Sequence, residues 1–241
     1  SYSQINKDFH EKYANMSRED LIKWRYQRYM QDYLGSIRAV DENVGRLLDY
    51  LEANGLEENT VIVYTSDQGF YLGEHGWYDK RFVYDQSFKT PLLISWPGYV
   101  KPGSQSTQMV QNLDFAPTFL EMANVSNTDN LQGESLVPLL TNDIEKWERE
   151  AVYYHYYEYP GEHAVMRHYA LVSQDYKLIH FYHDKDYWEL IDRKQDPHEL
   201  NNVYNEDDYS EIKKQLHEDL RIMRERYGDS DVLQKKFLQD Y

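Results

Sequence analysis

The side chains that could do chemistry are concentrated directly after one apolar run of the chain. Asp67 and Gln68 offer a carboxylate and an amide oxygen side by side, and these are the hard oxygen donors that Ca²⁺ and Mg²⁺ prefer. Gly69 lets the backbone turn sharply after them. His75 and Lys80 follow in the same polar segment. The segment therefore carries groups that could bind a cation and an anion.

The apolar run before Asp67 predicts the element that positions this segment. Residues 61–65 are nearly all β-branched or aromatic and show no polar alternation, which is typical of a strand buried on both faces of a parallel sheet. In open α/β sheets, ligands bind outside the carboxyl ends of the strands, where Asp67 falls. Simpler interpretations stay open: Asp67 could close a turn on its own backbone, His75 could be structural, and Lys80 could be solvated.

Flanking patterns predict an α/β unit around this strand. Apolar residues recur at helical spacing over residues 34–51, and Ser17 with Asp20 resembles a capping box. A helix is therefore expected from about Ser17, with an interruption or bend near Gly35. A second buried strand is expected at residues 92–96.

The second half of the chain has a different pattern. A helix is expected to start near Asp114. After Trp147 the sequence changes to short segments rich in aromatic residues. We place a domain boundary at residues 142–149, which assigns residues 1–145 to an α/β portion and residues 146–241 to an α+β subdomain. In the latter, antiparallel strands are expected at 169–173, 176–182 and 187–191, and a helix at 210–227.

Composition excludes several classes of partner. Lys and Arg number 26 against 42 Asp and Glu, which gives a net charge of −16. Nucleic acid recognition needs clustered positive charge, so no nucleic acid partner is expected, and an anionic membrane is disfavoured for the same reason. No apolar run approaches the ~20 residues of a transmembrane helix. There is no cysteine, so structural disulfides are excluded.

Several longer blocks occur together and in a fixed order. They are TSDQGFYLGEHGWYDKR at 65–81, KTPLLISWPG at 89–98, DFAPTFL at 114–120, YKLI at 176–179, and WELID at 188–192 followed by Asp196 and Pro197. In this combination the chain resembles the sulfatase family of the alkaline-phosphatase superfamily. GEHGWYDKR and HYYEYPGEH are most similar to bacterial arylsulfatases and to enzymes acting on 6-O-sulfated N-acetylglucosamine or related glycans.

The resemblance implies a fold and a site. The fold would be α/β: the C-terminal part of an alkaline-phosphatase-like α/β sandwich, followed by a small antiparallel sheet plus helix subdomain. Asp67 and Gln68 would ligate one divalent cation, Ca²⁺ or else Mg²⁺. Lys80, thirteen positions after Asp67, would contact the sulfate. His75 would orient the leaving group or simply pin the loop, and His163 and Arg167 would bind the sugar.

The chain also departs from the family pattern. Sulfatases use a formylglycine made within a (C/S)-x-P-x-R motif, and this sequence contains no such motif. We therefore expect the nucleophile and the other metal ligands in a missing N-terminal part of the same enzyme, and we expect the chain alone to be inactive. By resemblance, the substrate is a sulfated carbohydrate and the location is periplasmic or secreted.

Two other interpretations are compatible with these residues. A phosphatase or phosphodiesterase of the same superfamily would typically hold two zinc ions, for which Gln68 is a poor ligand. A non-catalytic carbohydrate-binding module is supported only by the tyrosine-rich segment around His155, where aromatic rings could stack on sugars.

Overall fold

The computed structural model describes residues 7, 11, 13, 16–126, 130–159, 161–182 and 184–239. The chain divides into two compact units, Ser1–Val61 and Ile62–Tyr241. Each unit has its own internal packing and is described by itself. The predicted boundary at residues 142–149 lies inside the second unit and stays a prediction.

The first unit consists mainly of one long helix. Helix α1 (Arg18–Ala53) begins after Ser17, whose hydroxyl accepts the backbone N–H of Asp20 at 3.1 Å. It is followed by a short 3-10 helix, Glu57–Asn59. The interruption expected at Gly35 is wrong, since the helix is continuous through this position. A glycine in a helix interior costs only about 1 kcal/mol relative to alanine, and the many good helix formers around it outweigh this.

The second unit starts with the strand before Asp67. Strand β1 (Ile62–Thr65) pairs with β4 (Leu92–Ser95) in an antiparallel two-stranded sheet, with Thr65 opposite Leu92. The expectation of a parallel pairing buried on both faces is therefore wrong for this pair, and Tyr64 is 42% exposed in this chain. An apolar run indicates that both faces of a strand are suited to burial. It does not determine whether the neighbouring strand runs parallel or antiparallel to it.

A compact loop region lies between β1 and β4. Strands β2 (Tyr71–Leu72) and β3 (Tyr78–Asp79) form a small antiparallel hairpin that encloses a 3-10 helix, Glu74–Gly76. A single helical turn, α2 (Asp85–Phe88), follows. Tyr71 is fully buried, and its hydroxyl donates to the Phe82 carbonyl at 3.1 Å, which folds the hairpin back onto the segment before α2.

Short helices connect this region to the carboxyl-terminal sheet. A 3-10 helix, Asn112–Asp114, leads directly into α3 (Phe115–Met122), so the helix expected near Asp114 is confirmed. Helix α4 (Val137–Leu140) and a 3-10 helix, Ile144–Lys146, come next.

A four-stranded antiparallel sheet forms the core of the second unit. It contains β5 (Ala151–Tyr156), β6 (His168–Ser173), β7 (Tyr176–Tyr182) and β8 (Asp186–Asp192), paired in sequence order. The three strands expected here are confirmed, and β5 is a fourth. After a 3-10 helix, Asp207–Tyr209, the chain ends in α5 (Ser210–Arg226) and α6 (Asp231–Gln239). Helix α5 confirms the helix expected at 210–227.

The two faces of this sheet pack against different partners, because successive side chains of a strand point to opposite faces. On one face, Val172 and Ile179 pack with Tyr71, Phe82 and Val83 of the loop region. The other face packs against α5. The buried residues of this second cluster, from the sheet and from α5, are Tyr169, Leu171, Leu178, Leu190, Leu216 and Leu220. Through its first face, the sheet thus packs against the loop region that contains the polar segment after β1. No helix among the described residues is both long enough and apolar enough to span a membrane.

A buried histidine in this core predicts a pH dependence of stability. His168 is 0% exposed, its Nδ1–H donates to the Met166 carbonyl at 2.8 Å, and burial lowers its pKa from 6.5 to about 4. Between these values the unfolded chain binds a proton that the folded chain does not. The free energy of unfolding is therefore expected to fall by about 2–3 kcal/mol as the pH drops from 6.5 to 4.

Urea unfolding at a series of pH values tests this expectation. His168→Phe should flatten the dependence between pH 4 and 6.5 relative to the wild-type chain, because the group that must stay neutral is gone. The exposed His198 gives the matched control, and His198→Phe should keep the wild-type slope. An unchanged slope in the His168 variant would contradict the assignment.

Candidate active site

A cleft of about 860 Å³ brings three of the predicted site residues together. Asp67, Gln68 and Lys80 all line it. The 107–113 segment, which precedes α3, and the β5 tyrosines Tyr154 and Tyr156 supply other parts of its wall. The carboxylate, the amide and the ammonium that the sequence singles out thus share one cavity.

The backbone around Asp67 and Gln68 is held from several sides. Asn112 donates its side-chain N–H to the Asp67 carbonyl at 2.9 Å, and the Ser66 hydroxyl donates to the Gln68 carbonyl at 2.9 Å. Both bonds are accepted by main-chain carbonyl groups; the Asp67 carboxylate has one long contact, with the Ser66 hydroxyl at 3.4 Å. In the described part of the chain, no backbone N–H donates to the Asp67 carboxylate, so the simple turn that closes on its own backbone is not what forms here.

Gly69 is required for the close approach of this turn to α2. Its N–H donates to the Ser87 carbonyl at 2.8 Å, and the next N–H, of Phe70, donates to the Gln86 carbonyl at 2.7 Å. A Cβ at position 69 would lie 2.2 Å from the Gln86 carbonyl oxygen and 2.7 Å from that of Lys89. Any side chain would push the turn away from α2.

The donor set fits part of a cation site. Asp67 and Gln68 supply two oxygen ligands of the type that Ca²⁺ or Mg²⁺ takes, whereas Ca²⁺ needs six to eight. Across the residues that the structure describes, there is no cluster of three or more His, Cys, Asp or Glu side chains that could hold a metal by itself. The residues present therefore fit one side of a coordination shell.

Lys80 lies between two residues with an unusual backbone conformation. Asp79 has a φ of 86° and Arg81 a φ of 99°, a region that side chains other than glycine rarely adopt. Such strain persists only where surrounding contacts impose it, and it is concentrated at functional sites. Here the contacts are the Arg81 N–H donating to the Ser87 hydroxyl at 2.9 Å and the Tyr154 hydroxyl donating to the Arg81 carbonyl at 2.5 Å.

Arg81 connects this strained segment to the loop after β5. Its guanidinium pairs with Asp79 and donates to His163 Nε2 at 2.7 Å. The opposite ring nitrogen of His163 donates to Glu158 at 2.9 Å, which fixes the proton on Nδ1. The His163 side chain is 32% exposed. The predicted sugar contact His163 is thus a direct neighbour of the segment that contains Lys80.

The structure places the other two predicted residues elsewhere. His75 does not line the cleft. Its ring stacks on that of Tyr84, with 4.5 Å between centroids. The Tyr84 hydroxyl in turn donates to Glu189 at 2.6 Å, and burial raises the pKa of this glutamate. This environment supports the alternative in which His75 pins the loop. Arg167 has no exposed surface, so its position does not support the predicted direct contact with a sugar.

Sequence reasoning missed Asn112 and the roles of Asp79, Arg81 and Glu158. Asp79 and Arg81 flank Lys80, so adjacency to the predicted cation was a signal for them. Asn112 lies 45 positions from Asp67, and no local pattern marks it.

Comparison with known proteins gives the family. The model described as "N-sulphoglucosamine sulphohydrolase, C-terminal" matches residues 73–226, and the model "Sulfatase" matches residues 2–125. The chain is 52% identical over 219 residues to an N-acetylglucosamine-6-O-sulfatase of Bacteroides thetaiotaomicron, covering 90% of this chain and 39% of that protein. It is 30% identical to an arylsulfatase of Clostridium perfringens, covering 85% and 43%.

A solved structure supports the same relationship. It is described as a complex with its substrate D-glucosamine-2-N,6-O-disulfate, superimposes with a TM-score of 0.88 at 49% identity, and covers 95% of this chain and 47% of that chain. The chain thus spans less than half the length of the relatives it matches. The fold is the α/β fold of the alkaline-phosphatase-like sulfatases. With two family models and a relative of this similarity in agreement, the chain belongs to the sulfatase family.

Proposed function

We propose that this chain is the carboxyl-terminal part of an enzyme that hydrolyses a sulfate ester on a sulfated glucosamine. The observation that carries the proposal is the cleft that Asp67, Gln68 and Lys80 line together. Membership of the sulfatase family supports the reaction. The names of the similar proteins, an N-acetylglucosamine-6-O-sulfatase and a complex with a glucosamine disulfate, support the sugar and the 6-O position.

The residues of this chain would bind and orient the sulfate group. Asp67 and Gln68 would hold one side of a divalent cation, Ca²⁺ or else Mg²⁺, because both ligands are hard oxygens. When bound, the cation supplies Lewis-acid polarisation of the sulfate oxygens. Lys80 would place a compact positive charge against the oxygen atoms where negative charge develops. The nucleophile and the remaining ligands would come from a further part of the enzyme.

The sugar would lie on the side of the cleft where Arg81 and His163 meet. Arg81 follows Lys80 and also lines the cleft, so its guanidinium would lie near the bound substrate. Both ring nitrogens of His163 are bonded, to Arg81 and Glu158, so the exposed third of its side chain would contact the sugar through the ring. Because burial raises the pKa of Tyr154 to about 12, its hydroxyl stays a donor to the Arg81 carbonyl and holds this segment at neutral pH. We also propose a periplasmic or secreted location, by similarity to glycan-degrading relatives.

The test of this function uses the complete gene product that contains this chain. We expect turnover of N-acetylglucosamine 6-sulfate and of 4-nitrophenyl sulfate, with loss of activity after chelation and recovery on addition of Ca²⁺. The 3-sulfate isomer of the same sugar is the matched control and should be a poor substrate. The 241-residue chain alone should be inactive.

Two results would contradict the proposal. Turnover of 4-nitrophenyl phosphate with bound zinc, and none of the sulfate ester, would favour the phosphatase interpretation. Binding of sulfated sugar without turnover by the complete protein would favour a carbohydrate-binding role.

A further inference from the structure

The single helical turn α2 contacts both halves of the candidate site. On one side, its carbonyl groups at Gln86 and Ser87 accept the N–H groups of Phe70 and Gly69, directly after Gln68. On the other side, the Ser87 hydroxyl accepts the Arg81 N–H at 2.9 Å, directly after Lys80. The position of α2 therefore sets the distance between the two proposed cation ligands and the proposed sulfate-binding lysine.

A buried lysine of the small sheet fixes the first residue of α2. Lys177, on β7, has no exposed surface. Its ammonium lies 3.0 Å from the Asp85 carboxylate and 2.5 Å from the Glu199 carboxylate, and it donates to the Val83 carbonyl at 2.7 Å. The ammonium thus donates hydrogen bonds to Val83 and Asp85, and its contact with Glu199 is a close ion pair.

Further hydrogen bonds in the same cluster fix the position of Asp85. Glu199 is 3% exposed, and its second oxygen accepts the Asp85 backbone N–H at 2.6 Å. Arg193 donates to both carboxylate oxygens of Asp85, at 3.1 and 3.0 Å. Although burial would raise it, the neighbouring Lys177, Lys89 and Arg193 hold the pKa of Asp85 well below its usual range. Asp85 thus stays charged and is held from the side chain and from the backbone.

Removal of one partner of such a cluster leaves an uncompensated buried charge. Without Lys177, the buried Glu199 carboxylate would lose its 2.5 Å ion pair, and the position of the Asp85 N–H that it accepts would no longer be fixed. Lys89 and Arg193 would still pair with Asp85, at 2.6 and 3.0 Å, whereas Glu199 would keep only the Arg193 Nε at 4.0 Å.

We propose that Lys177 is a positioning residue of the candidate active site. By binding Asp85 and Glu199, it holds α2 where this turn keeps Asp67 and Gln68 in register with Lys80. This role gives a structural reason for Lys177 in the YKLI block at 176–179 and for Glu199, two positions after Pro197. Its consequence for turnover rests on the proposed sulfatase function, whereas its consequence for structure does not.

Amide hydrogen exchange in the chain carrying Lys177→Met tests the structural consequence. We expect exchange at Gly69, Phe70 and Arg81 to become at least about tenfold faster, because their acceptors on α2 are released. Amides of α5 should keep wild-type rates. An unchanged rate at the three amides would overturn the proposal, and so would a uniform increase along the chain, since that indicates only a general loss of stability.

Two further variants complete the experiment. Lys194→Met removes a lysine at the same end of the sheet, in an ion pair with Asp175 where the Lys194 side chain is 68% exposed, and it should change none of the three rates. If the Lys177 variant does not fold, Asp85→Asn serves as the test instead. This change weakens the ion pair between Lys177 and Asp85 and alters the shape of the side chain little. Wild-type rates at all three amides in the Asp85 variant would overturn the proposal.

The complete enzyme gives a separate readout. Lys177→Met should lower kcat by more than it raises KM, since a displaced site still binds the sugar but holds the sulfate poorly. An inactive wild-type enzyme would contradict the proposed function without affecting the exchange result. A normal kcat together with faster exchange at the three amides would overturn the positioning role in turnover.

Discussion

Lys80→Ala in the complete enzyme is expected to lower kcat/KM on a sulfated glucosamine by about 10²–10³-fold, the usual cost of removing one group that stabilises charge in a transition state. Lys80 lines the cleft together with Asp67 and Gln68, and the strained backbone on both sides of it directs this position. The loss should appear mainly in kcat, because an interaction that is stronger in the transition state than with the bound substrate contributes to kcat.

Steady-state kinetics with the sulfated sugar would measure this effect. Lys101→Ala is the control, since Lys101 is exposed and does not line the cleft, and it should leave kcat/KM within about twofold of wild type, as a surface change does. If Lys80→Ala changed kcat/KM by no more than the control, Lys80 would not be the sulfate-binding cation.

Asp114→Asn is expected to destabilise the fold by about 3–5 kcal/mol, the cost of breaking one partner of a buried ion pair. Asp114 is fully buried, and its two carboxylate oxygens bind Arg149 at 2.5 and 2.7 Å. The same oxygens accept backbone N–H groups of Gln111 and Glu134, at 2.7 and 2.9 Å. An amide would present its N–H donors to one of these donors and would leave Arg149 with only the half-exposed Glu134 carboxylate, 3.7 Å away.

Urea unfolding of the chain should show this as a lower midpoint with an unchanged m-value. The matched control is Asp143→Asn, because the ion pair of Asp143 with Lys146 is on the surface, with side chains 43% and 70% exposed. That change should cost about 1 kcal/mol or less. Equal effects at the two positions would contradict the role of Asp114 as a structural anchor.

The secondary structure of this protein could be predicted well where the pattern is local. Strands β6, β7 and β8 and helix α5 lie within a residue or two of their expected positions, because alternation and helical spacing depend on neighbours a few positions apart. The pairing of β1 with β4 could not be predicted in the same way. Pairing direction depends on the path of the chain between the two strands, and a continuous apolar run is compatible with either direction.

The residues of the candidate site also differ in whether the sequence alone could identify them. Asp67, Gln68 and Lys80 could be selected from residue type and spacing, and they share one cleft. His163 lies beside Arg81, although 82 positions separate them. Arg167 is four positions further on, directly before β6, yet it is enclosed, and no local pattern in the sequence distinguishes these two environments.

By itself, the sequence determined the family and the chemical groups of the site, since a carboxylate, an amide and an ammonium keep their chemistry wherever the chain goes. Only the tertiary structure decided how these groups are held. Lys177, Asp85 and Glu199 meet in a buried cluster although they belong to distant parts of the chain. The physical reason is that burial and charge pairing arise from contacts between remote segments, and no local pattern encodes them.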